Sequence, residues 1–104
     1  MNELKFPDRF LFGTAVASYQ VEGGIYNNDW TIWENKKNSV CVEPCNEACN
    51  HYELIDEDIN LLKTLGIKAF RFSIEWSRIE PIQGTFNDDE INHYVDKANK
   101  LILN

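Results

Sequence analysis

Arg71 stands inside an apolar run, Ile67-Lys68-Ala69-Phe70-Arg71-Phe72-Ser73-Ile74, whose β-branched and aromatic residues predict a strand. A guanidinium inside a fold is costly unless it is paired, and no acid lies within that run. Arg71 therefore demands a partner from elsewhere, which marks a site. Glu75 and Glu80 flank Trp76 at the carboxyl end of the same run, where folds of alternating strands and helices gather their chemistry. Both are candidate acids. Gln20 follows a second apolar run, and its amide offers both a donor and an acceptor. On residue type alone, a loop-end glutamine bonded to backbone is the commoner reading. Cys41, Cys45 and Cys49 are spaced Cys-x₃-Cys-x₃-Cys, with His51 close behind as a conceivable fourth ligand. Zinc sites favour tighter cysteine pairs, so neither a metal nor any other cofactor is expected.

Two βα units position these residues. Phe10 to Ser18, broken by Gly13, suits a strand buried on both faces of a parallel sheet. Tyr19 to Asn50 is turn-rich and aperiodic, a length of loop that is more often functional than idle. Asn50 and Glu53 have the spacing of a capping box. Behind them Ile55, Ile59 and Leu62 fall on one helical face, acids load the first turn, and Gly66 supplies a left-handed stop. The strand from Ile67 to Ile74 comes next, then a turn at Pro81 and Gln83-Gly84. A second helix opens at Asn87, with Glu90 in the capping-box position and a stripe of Ile91, Tyr94, Val95, Ala98, Leu101 and Ile102. Two strands and two helices do not close a fold, so open edges and apolar faces are expected.

The 104 residues fall well short of the roughly 250 that an eight-fold barrel needs. With 43% hydrophobic and 26% charged residues the chain is ordinary for a globular protein, which argues against disorder. Seventeen acids against ten bases give a charge of −7, the wrong sign for a nucleic-acid partner. No basic segment followed by an apolar run opens the chain, and no stretch is long enough to span a membrane. With an odd number of cysteines, a reducing cytoplasm is the expected setting.

Three clusters occur in register: Phe6-Pro7-Asp8-Arg9-Phe10-Leu11-Phe12-Gly13-Thr14-Ala15 with Ser18-Tyr19-Gln20-Val21-Glu22-Gly23-Gly24; Cys49-Asn50-His51-Tyr52 with Glu57-Asp58; and Leu65-Gly66-Ile67-Lys68-Ala69-Phe70-Arg71-Phe72-Ser73-Ile74-Glu75-Trp76-Ser77-Arg78-Ile79-Glu80-Pro81. In this order and spacing the chain resembles the amino-terminal portion of glycoside hydrolase family 1, the β-glucosidase and 6-phospho-β-glycosidase family. The resemblance runs from Phe6 to about Leu103. It implies an α/β fold, a fragment of a (β/α)₈ TIM barrel comprising its first two βα units, with residues 1–104 forming one incomplete domain.

The resemblance further implies that Gln20 binds hydroxyls of the sugar in the −1 subsite and that Arg71 lies beside the nucleophilic glutamate. It places Trp33 and Trp76 in packing, makes His51 a hydrogen-bonded structural residue, and gives the cysteines no metal. Glu75 and Glu80 do not match the catalytic pair, so a solvated role or an ion pair with Arg78 is expected for them. Phe12 stands where members commonly have Trp, Asn50 where Asp is frequent, and Ile25 to Glu34 is shorter than in many members. The family's Asn-Glu-Pro acid/base and Glu-Asn-Gly nucleophile motifs are absent from these residues. Retention requires two carboxyls roughly 5 Å apart, so no catalytic residue is assigned and the chain is expected to be inactive alone. The expected partners are a β-glycoside or sugar in a completed barrel and, for the chain, either itself or the remainder of the barrel. A truncated product, one piece of a split enzyme and a non-catalytic sugar-binding or interaction module remain alternatives.

Overall fold

The structure is a computed structural model that describes residues 2–103. It contains β1 (Gly13–Ala15), α1 (Ser18–Val21), α2 (Asp29–Glu34), α3 (Ile55–Thr64), β2 (Ala69–Arg71), α4 (Trp76–Ile79) and α5 (Asp88–Leu103). The strands pair in parallel, Gly13 opposite Ala69, Thr14 opposite Phe70 and Ala15 opposite Arg71. Bonds from Lys68 N to Phe12 O and from Val16 N to Arg71 O continue the ladder at either end. The expected strands thus shrink to their paired cores. The expected burial of Phe10 to Ser18 on both faces is not met, because Gly13–Ala15 are exposed. A strand with one neighbour and no layer above it has nothing to bury against.

Each helix has a local cause for its ends, and one differs from expectation. Asn50 does not cap α3. It adopts a left-handed φ of +57°, and its carbonyl accepts from Glu53 N and Leu54 N in a separate turn, so the helix begins only at Ile55. The expected stop holds: Gly66 has φ +72°, with bonds from Gly66 N to Lys63 O and from Ile67 N to Leu62 O, the paired closure of a Schellman motif. At α5, Asn87 Oδ1 accepts from Asp89 N and Glu90 N as expected of a cap. The reciprocal half of the box is missing, because the Glu90 carboxylate accepts from Tyr52 OH instead.

Helices α3 and α4 both pack on α5. The buried apolar core is small: Ile25, Ile55, Ile59, Ile79 and Tyr94. Much of the apolar stripe on α5 faces out, with Val95 and Ile102 exposed, and Phe6, Phe10 and Phe12 form an exposed ring cluster with centroids 4.7 to 4.9 Å apart. Trp33 and Trp76, expected in packing, are exposed as well, because the surfaces that would cover them are not supplied by these residues.

The radius of gyration, 17.1 Å, exceeds the roughly 13 Å of a compact domain of this length. The chain exposes 8218 Å². A compact monomer of this mass exposes about 6,000 Å². The excess on one chain, about 2,000 Å², is more than twice the roughly 800 Å² that each partner gives to a standard interface. Charge repulsion opposes association only within about 8 Å at physiological salt. The isolated chain is therefore expected to elute as dimers or larger species in size-exclusion chromatography with light scattering. A monodisperse monomer with a sharp cooperative melt would show instead that this small core suffices.

Candidate functional site

A single helical turn, α1, follows β1 and is tied down at both ends. At its start, Ser18 N donates to Ser73 Oγ at 2.7 Å, Ser18 Oγ donates to Glu75 Oε2 at 3.0 Å, and Ser73 Oγ donates to Ser18 Oγ. Beyond its end, Glu22 is the most deeply buried side chain, 1% exposed. Arg78 Nε reaches Glu22 Oε1 at 3.0 Å, Arg78 Nη2 donates to Gly23 O, and Tyr94 OH lies 2.8 Å from both Glu22 oxygens. Gly23 is required here: its φ is +84°, and a Cβ would fall 2.2 Å from Glu47 O. Backbone bonds from His51 N to Val21 O and from Tyr52 N to Glu22 O then bind the turn to the segment before α3.

Gln20 sits on this turn, exposed, with its backbone N bonded to Ala17 O. It lines an open depression of about 490 Å³ with Glu43, Pro44, Cys45, Asn46 and Glu47. Arg71 ends β2 opposite Ala15, so both expected site residues lie at the carboxyl end of the sheet. Arg71 is exposed rather than buried, and its Nη1 reaches only Val16 O at 3.4 Å. No carboxylate among the described residues pairs with it. The buried partner that its sequence context demands is not found among the described residues. The strand face that carries Arg71 opens to solvent.

Glu75 and Arg78 depart from the expected ion pair. Arg78 is taken by Glu22, with its guanidinium stacked 3.9 Å over the Tyr52 ring. Glu75 is neither solvated nor ion-paired. It is buried and accepts from Ser18 Oγ, Asn28 Nδ2 and Ser77 Oγ, while its own N–H donates to Tyr94 OH. Glu80 accepts from Trp76 Nε1 and Gly84 N, and those donors, the Gly84 N–H foremost, hold its carboxyl below the ordinary range. His51 is buried, with Nδ1 2.6 Å from Asp58 Oδ2, as a hydrogen-bonded packing residue should be. Cys41, Cys45 and Cys49 are free thiols, and among the described residues no group of three His, Cys, Asp or Glu side chains is arranged to hold a metal.

Sequence reasoning missed the buried charges Glu22, Glu34 and Lys97. Glu34 accepts from Tyr19 OH and from Cys45 N, fastening α2 to the loop beside Gln20. Burial, aided by Glu34, pushes the Tyr19 hydroxyl up to about 12. Burial likewise pushes the Glu22 carboxyl up, against the pull of Tyr94 and Arg78. Lys97 lies three residues after Tyr94, on the inward face of α5, with its Nζ 4.2 Å from the Phe72 ring centroid. That spacing was the available signal.

A sequence profile described as Glycosyl hydrolase family 1 matches residues 2–104. The chain belongs to that family. Among curated relatives, the β-glucosidase A of Acetivibrio thermocellus is 38% identical over 112 residues, covering 100% of this chain and 25% of that protein. Among solved structures, the β-glycosidase from Pyrococcus horikoshii superposes with a TM-score of 0.86 at 44% identity, covering 96% of this chain and 23% of its own. The family 1 β-glucosidase from Thermotoga maritima gives 0.84 at 36% identity, covering 94% and 24%. The chain thus spans about a quarter of the length of the relatives it matches. Its two-stranded parallel sheet fits a fragment of their barrel. No helix among the described residues is long and apolar enough to cross a membrane.

Burial lowers the proton affinity of Lys97, and the nearby Glu22 and Asp58 only partly restore it. The unfolded chain therefore holds this proton more tightly than the folded one. Folded stability should rise with pH from the lowered folded value up to the ordinary lysine value near 10.4. Lys97→Met is expected to stabilise the protein at pH 7, because it removes a buried charge that has no salt-bridged carboxylate among the described residues. The gain should shrink through that alkaline window. Urea unfolding of both proteins across pH checks this. A loss of stability at pH 7 would mean that attraction to Glu22 outweighs burial.

Proposed function

We propose that this chain forms the first two βα units of a β-glycosidase barrel that hydrolyses O-glycosidic bonds of β-glycosides with retention. In this reading Gln20 hydrogen-bonds hydroxyls of the sugar in the −1 subsite. Arg71 keeps the nucleophilic carboxylate ionised and oriented. The observation that carries the reading is the parallel register. With Ala15 opposite Arg71, the turn bearing Gln20 and the guanidinium come out at the same, carboxyl-terminal end of the sheet, where barrel enzymes work. Arg71 is exposed and has no acidic partner among the described residues, which suits a cation whose partner is contributed by later strands.

The acid/base and nucleophile glutamates belong to barrel segments other than these residues. Glu75 does not replace them, because three neutral donors already surround its buried carboxylate. The substrate class is a β-glycoside, in keeping with relatives named as β-glucosidases. The exposed faces of β1, α4 and α5 support pairing with the remaining barrel, and the free thiols support a reducing, cytoplasmic setting.

Purified chain is expected to show no turnover of an aryl β-glucoside, since the acid and nucleophile together supply most of the acceleration. Turnover at an ordinary enzyme's rate would overturn the reading. In the chain joined to the remaining three quarters of the Thermotoga maritima β-glucosidase, Arg71→Met should lower kcat by about a hundredfold or more and shift the acidic limb of the pH–rate profile upward, because the nucleophile loses the cation that keeps it ionised. An unchanged kcat and an unchanged acidic limb would make Arg71 structural.

A further inference from the structure

Glu75 is a buried carboxylate, 8% exposed, and among the described residues no cation pairs with it. Its oxygens are instead satisfied by Ser18 Oγ at 3.0 Å, Ser77 Oγ at 2.8 Å and Asn28 Nδ2 at 3.3 Å. Burying a carboxyl group among neutral donors is an expensive way to fill space, and an apolar residue would pack there at less cost. The arrangement joins three pieces of chain that are remote in sequence. Ser18 opens the turn that bears Gln20. Asn28 caps α2, its Oδ1 accepting from Thr31 N at 2.8 Å. Glu75 itself follows β2, and its N–H is held by Tyr94 on α5.

We propose that Glu75 is a positioning residue for sugar binding: through Ser18 it fixes the Gln20-bearing turn against the carboxyl end of β2. The inference rests on the assignment of Gln20 to the sugar. Gln20 is exposed and lies only two residues from Ser18, on a helix of four residues with no side-chain cap bond. So short a helix has no stability of its own. Its orientation is set by its ties, and Ser18 carries those that join its first residue to the segment after β2.

Two measurements test this. In the 104-residue chain, Ser18→Ala should speed amide exchange of Gln20, Val21 and Glu22 by about tenfold while leaving α5 unchanged. Unchanged exchange in the turn, or an equal rise in α5, overturns the proposal. In the chain joined to the remainder of the Thermotoga maritima β-glucosidase, Gln20→Ala should reduce kcat/KM for an aryl β-glucoside about tenfold. Ser18→Ala and Glu75→Gln should each reduce it roughly fivefold, and neither should reduce it further once Gln20 is already alanine. Ser18→Thr, which keeps the hydroxyl, should restore most of the loss. A general structural defect would give additive losses in that double-mutant cycle and overturns the proposal, while the role of Gln20 stands. If Gln20→Ala alone has no effect, the sugar assignment falls and the positioning role falls with it.

Discussion

The buried Glu22 carboxylate is the point on which the rest of this structure hangs. It is reached by Arg78 from α4 and by Tyr94 from α5, residues 56 and 72 positions away in sequence. An isolated charge at this depth would be prohibitive, and burial does raise the carboxyl's proton affinity. Two oxygens met by a guanidinium and a phenol make the burial tolerable. In return the loop after β1 is fastened to both later helices at a single place. Arg78 extends the same tie to Gly23 O and stacks on Tyr52, which itself donates to Glu90. With an apolar core of five side chains, a polar knot of this kind does much of the work that packing does elsewhere.

A polar knot specifies geometry better than it supplies stability. Removing one partner of a buried pair is strongly destabilising, yet the pair as a whole often does no better than apolar residues of the same volume. The fragment therefore holds a defined internal arrangement while leaving large apolar surfaces uncovered. The groove bounded by Phe72, Ile74, Trp76, Phe86, Ile91 and Val95 is lined almost wholly by carbon, and Trp76 at its rim is exposed. A parallel sheet is stable only with both faces covered, so two strands and two long helices leave the architecture half-stated.

What was legible in the sequence follows from how local each cause is. The Gly66 stop, the Asn87 cap, the turn at Gln83-Gly84 and the stripe of α5 depend on neighbours a few residues away, and all appear in the structure. The order of β1, α3, β2 and α5 was legible for the same reason, whereas the short helices α1, α2 and α4, which lack a periodic stripe, were not. The Asn50 cap failed because an asparagine also accepts left-handed φ, and hydrogen bonds with Val21 and Glu22 made a separate turn at 50–53 the better use of that backbone. The partner of Arg78 was misjudged because sequence proximity favoured Glu75 and Glu80, whereas burial selected Glu22 across 56 positions. The tryptophans were expected inside on the premise of a whole barrel. Within these residues Trp33 meets Trp30 and Trp76 meets Phe86, and both stay exposed.

The candidate site shows the same division between local and distant causes. That a glutamine follows β1 and an arginine ends β2 can be read from the sequence, but their placement at one end of the sheet is a property of parallel pairing alone. Had the strands paired antiparallel, the two residues would lie at opposite ends and could not serve one substrate. The turn bearing Gln20 is too short to orient itself, so its aim depends on Ser73, Glu75 and Arg78, all contributed by the second βα unit. The second βα unit thus orients the turn that follows the first strand. Arg71, at the end of the second unit's strand, is exposed, with no carboxylate partner among the described residues and a contact to Val16 O at 3.4 Å.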